Sequence, residues 1–335
     1  SGYKDYSRTN ISAQAEIEQN LDFITEGLTV QGHFSTVRRS YFDVSRSYTP
    51  YYYKIGFYDK ESDNYVLQAL NPDSGTEYLG YSEGPKDVYT QIYMQAKANY
   101  ARKFGLHDVG ALLVYQRKEE LLGNAGSVIK SLPKRNQGIS GRMSYGYDSR
   151  YFAEFNFGYN GSENFAPGKR FGFFPAFATG WIVSQEPWME SLSKTISLLK
   201  LRASWGKAGN SDISGRRFAY ISTIENTGYY YYGTDGQFHR LGRAEGDIGV
   251  PDLTWEKVTK TNLGLDLGLF NNSISLSFDV FKEWRKDIFM KRKNIPASAG
   301  FNRAVWANFG KVENSGIDCS LNINHRFNRD FQLTA

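Results

Sequence analysis

The sequence predicts an all-β protein, an antiparallel transmembrane β-barrel segment. Three observations carry that prediction: side chains that alternate with period two, connections that alternate between tight and long, and aromatics bracketing the tight turns.

The alternation comes first. Residues 28–35 place Leu28, Val30, Gly32 and Phe34 on one face and Thr29, Gln31, His33 and Ser35 on the other. Residues 13–21 set Ala13, Ala15, Ile17 and Leu21 against Gln14, Glu16, Glu18 and Asn20. The apolar rows continue with Tyr151, Ala153, Phe155, Phe157 and Tyr159, then Leu263, Leu265, Leu267 and Leu269. Ile274, Leu276, Phe278 and Val280 follow, and then Ile317, Cys319, Leu321 and Ile323. Strand side chains point to opposite faces in turn, so each run has one apolar face. The opposite faces carry mainly Ser, Asn, Gln, Gly and Asp, which suits a crowded, wet lumen.

Strands are expected near 13–22, 28–38, 88–103, 108–118, 138–147, 151–160, 172–184, 198–207, 255–269, 274–284 and 305–327, with a further one starting at Phe331. The links between them run short (23–27), long (39–87), short (104–107), long (119–137), short (148–150) and medium (161–171). They continue medium (185–197), long (208–254), short (270–273), long (285–304) and short (328–330). Tight turns on one side and long loops on the other are the habit of outer-membrane barrels. Tyr147 and Tyr151 flank the turn 148–150, and Phe327 and Phe331 flank 328–330. These rings fit an interfacial girdle, or else cross-strand pairs of a soluble hairpin. A short helical turn is expected in 187–197, opened by Pro187.

Composition agrees. There are 24 Tyr, 23 Phe and 33 Gly in 335 residues, and the mean hydropathy is −0.52. No run approaches eighteen apolar residues, so no helix crosses a bilayer, but a strand crosses with about ten residues of which half are apolar. The net charge of +5 is dispersed, as a solvated surface has it, and nucleic-acid binding is not expected. Cys319 is the single cysteine, which rules out an internal disulfide, and falls on an apolar parity. The chain opens without a signal peptide, so its N-terminus is expected to lie further upstream.

No catalytic constellation is found, and neither a cofactor nor a metal is expected. His33, His107, His239 and His325 are scattered, without zinc spacing. Gly168-Lys169 lacks the rest of a phosphate loop. Glu119 and Glu120 would point to opposite faces of a strand, poor geometry for a glycosidase pair. Asp59, Glu61 and Asp63 alternate in a way that could offer oxygens to Ca²⁺, or form a solvated loop.

The block NQGISGRMSYGYDSRYFAEFNFGYNGSENFAPGKRFGFFPAFATGWIVSQEP (136–187) resembles the barrel of SusC/RagA-type TonB-dependent transporters. So do LLKLRASWGKAGN (198–210), WEKVTKTNLGLDLGLFNNSISLSFDVFKEWRKDIF (255–289) and NSGIDCSLN (314–322). The resemblance implies part of a 22-stranded barrel in the bacterial outer membrane. It implies a plug inside the lumen, through which TonB acts, and a SusD-like surface lipoprotein as lid. The cargo it implies is an oligosaccharide or a peptide, carried without covalent chemistry. Residues 1–335 would all be barrel, with plug and closing strands outside this chain. Uptake of an iron chelate, or a soluble β-rich carbohydrate-binding module, are the alternatives. For such a transporter, the loop 208–254 offers the candidate contacts for cargo or lid: Tyr229, Tyr230, Tyr231, Tyr232 and Arg240, with Asp235, His239 and Arg243 nearby. Tyrosine joins a flat apolar face to a polar tip, which suits sugars and protein partners alike. Tyr51-Tyr52-Tyr53 form a second such group.

Overall fold

The computed structural model describes residues 2–326 and 332–334. Seventeen strands are found among them. They are β1 (Gly2–Asn20), β2 (Leu28–Ser47), β3 (Tyr53–Asp59), β4 (Asn64–Ala69), β5 (Gly80–Glu83), β6 (Asp87–Phe104), β7 (His107–Leu122), β8 (Lys134–Tyr147) and β9 (Tyr151–Ser162). The rest are β10 (Phe171–Ile182), β11 (Ile196–Asn210), β12 (Ile224–Tyr232), β13 (Phe238–Glu245), β14 (Glu256–Leu269), β15 (Ile274–Lys291), β16 (Trp306–Arg326) and β17 (Gln332–Thr334). Thirteen belong to one sheet in the order β1-β2-β6-β7-β8-β9-β10-β11-β14-β15-β16-β17, with β5 on β2. Skipped numbers belong to two separate hairpins, β3-β4 and β12-β13. The sheet is an up-and-down meander that does not close on itself among the described residues. The flanking aromatics Phe327 and Phe331 lie outside the described residues.

The chain divides into two compact units, one of residues 1–15, 35–92 and 119–133 and the other of 16–34, 93–118 and 134–335. In the first, Asp43 is buried, bonded by Lys4 Nζ at 2.9 Å and the Tyr41 hydroxyl at 2.8 Å. Gly84 lies against this carboxylate, where a Cβ would stand 1.6 Å from Asp43 Oδ1. Only glycine fits there. The same unit holds β3-β4, whose tip binds its own acids: Asp59 accepts from Ser62 Oγ and the Glu61 amide, and Asp63 from the Tyr58 hydroxyl. Among the described residues no group of three His, Cys, Asp or Glu is placed to hold a metal.

In the larger unit the pairing fixes two faces. Leu265 pairs with Leu201 and Phe278, and Leu263 with Ala203 and Val280. Phe177 pairs with Phe155 and Trp205, and Val280 with Ile317. This row is apolar and open: Leu263 is 59% exposed and Ile317 64%. The leucines therefore do not meet a dry core; they face outward, as lipid contact requires. The intervening row (Arg142, Glu154, Arg202, Asp266, Asp279) is charged. Above Val280 the outward row turns polar, and Lys282 there pairs with Glu313 at 2.6 Å.

Turns match their residues. Gly105 has φ +58° in the tight β6–β7 turn. Asn271 and Asn272 take φ +59° and +62° after β14, a left-handed conformation that Asn tolerates better than most residues. Residues 183–185 and 187–192 are 3₁₀ turns between β10 and β11, where the helical turn is expected.

Two expectations need correction. β1 and β2 are longer than 13–22 and 28–38, and β7 runs on to Leu122. Their extra residues have polar groups on both faces, so pairing continues where alternation ends. The long links 39–87 and 208–254 are not plain loops, for they contain β3, β4, β5, β12 and β13.

Candidate functional site

The charged row of the larger unit is the candidate lumen wall. It borders a hollow of about 770 Å³ lined by Arg142, Glu154, Lys200, Arg202 and Asn262, among others. At its centre Arg202 on β11 reaches across β14 to β15. Nε and Nη2 donate to the two Asp266 oxygens at 2.8 and 3.0 Å, a bidentate fork. Nη1 and Nη2 donate to Asp279 at 3.1 and 3.0 Å. Ser277 Oγ donates to Asp266 at 2.8 Å. The guanidinium crosses directly over Gly264, where a Cβ would stand 2.6 Å from Asp279 Oδ1 and 2.7 Å from Arg202 Cζ. Two carboxylates on one guanidinium leave the cluster with one net negative charge. Further along the wall Arg142 Nε donates to Glu154 at 2.9 Å, and Asn156 Nδ2 donates to the same carboxylate at 2.7 Å.

The tyrosines expected to touch cargo or lid form one hairpin. Tyr229 pairs with Leu241, Tyr230 with Arg240, Tyr231 with His239 and Tyr232 with Phe238. Alternation splits them: Tyr229, Tyr231, His239 and Leu241 share one face, and Tyr230, Tyr232, Phe238 and Arg240 the other. Tyr229 meets His239 edge-on at 4.8 Å, and Tyr232 stacks on Phe238 at 5.9 Å. Arg240 Nε donates to the Tyr232 hydroxyl at 3.3 Å. The four tyrosines are 49–66% exposed. The hairpin is held at its base, where Arg303 Nη2 meets Glu225 Oε2 at 2.6 Å.

That base rests on a core absent from the sequence reading. Phe165, Phe174, Ile213, Leu253, Trp255 and Phe289 bury one another, drawn mainly from loops at the long-link end. Phe165 lies 5.1 Å from Trp255, centroid to centroid, and is fully buried. The visible signal was faint: isolated apolar residues in polar links, such as Phe165 and Leu253. Asp252, at this level, sits beside Lys169 at 2.8 Å, which holds its carboxyl below the usual range.

A second unforeseen cluster lies at the tight-turn end. Buried Glu186 accepts from the Tyr151 hydroxyl, from Trp181 Nε1 at 2.9 Å and from Arg150 Nη1 at 2.9 Å. These donors, the tyrosine first, keep its carboxyl below the ordinary glutamate pKa. Tyr147, Tyr151 and Trp181 stack at 6.3 Å intervals, so the expected girdle is formed on this side by Tyr147 and Tyr151. His107 joins it, its Nδ1 at 2.7 Å from the Tyr145 hydroxyl. His33 lies on the polar row, 3.8 Å from Glu16.

Comparison with known proteins now decides the family. The model of the TonB dependent receptor-like β-barrel matches residues 1–335. The chain belongs to that family. It is an outer-membrane barrel segment of SusC/RagA type. The TonB-dependent receptor SusC of Bacteroides thetaiotaomicron is 32% identical over 192 residues, which are 57% of this chain and 19% of that protein. TonB-dependent receptor P3 of Formosa agariphila is 33% identical over 193 residues, 58% of this chain and 18% of that protein. The RagAB peptide transporter superposes with TM-score 0.66 at 20% identity, covering 97% of this chain and 35% of that one, a likeness of fold. The matched stretches thus span about a fifth of the curated relatives' length.

Proposed function

We propose that the chain forms wall and rim of an importer that takes oligosaccharides or peptides across the outer membrane, driven by TonB and capped by a SusD-like lipoprotein. The observation that carries this reading is the family match over the whole chain, with SusC as a sequence relative at 32% identity. The RagAB fold likeness supports peptide as the alternative class of cargo. In this reading the barrel does no covalent chemistry. The charged row borders the path, and the exposed tyrosine hairpin is the rim element that meets cargo or lid. Tyr229, Tyr231 and His239 offer one ring face, and Tyr230, Tyr232 and Arg240 the other.

The test is uptake. Cells lacking the intact transporter should fail to accumulate one labelled oligosaccharide or peptide pool that the parent strain imports, and loss of TonB should reproduce the defect. Normal uptake of every glycan and peptide, with loss of ferric-chelate uptake, would overturn the cargo assignment. Affinity isolation of the intact transporter should recover a surface lipoprotein, and isolation without one would remove the lid.

A further inference from the structure

The outward face carries a basic pocket at the height where the hydrocarbon ends. Alternation in β7 puts Leu113, Tyr115 and Arg117 on one face, and in β8 Ile139, Gln137 and Arg135. Leu113, Tyr115 and Ile139 line a common apolar hollow, so these rows share the lipid side. Ile139 pairs with Tyr159, which pairs with Phe173, and Gln137 pairs with Gly161, which pairs with Phe171. Just above this greasy surface lies a separate hollow of about 240 Å³, lined by Arg117, Arg135, Gln137, Glu163, Arg170 and Phe171 among others.

Its height follows from strand geometry. The girdle residue Tyr147 and Arg135 lie at the two ends of β8. At about 3.3 Å per residue and a tilt of about 40°, the roughly twelve positions between them rise on the order of 30 Å. That is the thickness of a hydrocarbon core, about 30 Å. Tyr147 is at the tight-turn level, so the pocket sits at the opposite interface, in the headgroup zone on the long-loop side.

Its charge follows from its side chains. Three guanidiniums face one carboxylate, Glu163, which lies 3.6 Å from Arg135 Nη1. Arg170 is fixed by its Nε bond to the Phe165 carbonyl at 3.3 Å. The pocket therefore holds a net excess of about two positive charges. Planar guanidiniums bind phosphate oxygens in pairs, which favours phosphate over a diffuse anion. The floor, Phe171, runs on into Tyr159, Ile139 and the lipid-facing rings. A soluble anion gains nothing from such a floor, whereas a lipid has acyl chains to lay there.

We propose that this pocket binds the phosphate of an outer-leaflet lipid headgroup, with the acyl chains along the aromatic face of β8–β10. The site is independent of the cargo and rests only on the membrane-spanning fold. The test uses the intact transporter in neutral detergent, mixed with phosphatidic acid, with diacylglycerol and with inorganic phosphate, and reads bound lipid by native mass spectrometry. Phosphatidic acid should stay bound, diacylglycerol should not, and excess inorganic phosphate should leave the bound lipid in place. The double variant Arg117→Gln, Arg135→Gln should retain at least fivefold less phosphatidic acid. If that variant loses its heat-resistant folded form, Arg117→Lys with Arg135→Lys keeps the charge without the fork and should still retain less. Equal retention by parent and variant overturns the site. So does equal retention of diacylglycerol, which would mean acyl contact alone. Displacement by inorganic phosphate would make it a free-phosphate site and overturn the lipid assignment.

Discussion

Gly264 makes room for a guanidinium. Its missing Cβ is what lets Arg202 lie flat between Asp266 and Asp279. Gly264→Ala should break the fork and destabilise the barrel by about 1–3 kcal/mol, the usual cost of disrupting charged hydrogen bonds. Urea unfolding in detergent micelles checks this, and an unchanged midpoint would show that the bridge adds nothing. Arg202→Met should do at least as much harm, because Asp266 and Asp279 would then face each other without a counter-charge. Glu186 makes a pH prediction. Its folded pKa is depressed, so its contribution is complete above the ordinary glutamate value and is lost as pH falls through the depressed one. Thermal midpoints of the parent should fall between about pH 5 and more acidic values. Glu186→Gln should be less stable at neutral pH and lose part of that acid dependence. These residues were hard to read in the sequence. Arg202 lies in LLKLRASW and Asp266 in LGLDLGL, each alone on its polar row, and nothing local says that they meet.

At the scale of elements, the alternating strands behave as lipid-facing ribbons. Leu265 lies mid-row, paired with Leu201 and Phe278. Leu265→Arg should cost roughly 2–4 kcal/mol, the price of a charge near the bilayer midplane. The same change at Thr261, on the outward row beside Lys282, should cost much less. Folding into liposomes, followed by the heat-modified band on a gel, would separate the two. The β12-β13 hairpin gives a different prediction. Tyr229→Ala with Tyr231→Ala should leave barrel stability unchanged while cutting uptake or lid retention by about tenfold, on the order of 1 kcal/mol per ring. Unchanged transport and unchanged lid retention would remove this face from the site, and Tyr230 with Tyr232 would be tested next. The hairpin itself could not be read from period two. Its run Tyr229–Tyr232 has four like residues, so neither face is marked as inside.

For the whole molecule, the two compact units divide the sheet's work differently. The larger one contains the lipid-facing rows, the charged lumen row and the rim core around Phe165 and Trp255. Disrupting that core should release the hairpin without unfolding the strands. Trp255→Ala should therefore expose β12-β13 and the link 211–223 to protease, while the heat-resistant barrel band persists. Simultaneous loss of the band would show that rim and wall are one cooperative unit.

The sequence by itself determined the strand order, the parity of every spanning ribbon and the family, because lipid on one side and water on the other leave a mark at every second residue. Eleven strand positions could be read for that reason, and SusC-like blocks could be matched along them. Only the tertiary structure decided which charges pair, how Gly264 and Arg202 share one space, which loops bury Phe165, and where three arginines gather above the greasy rim. Those contacts join residues far apart in the chain, and their partners are set by register between strands, which no local pattern encodes.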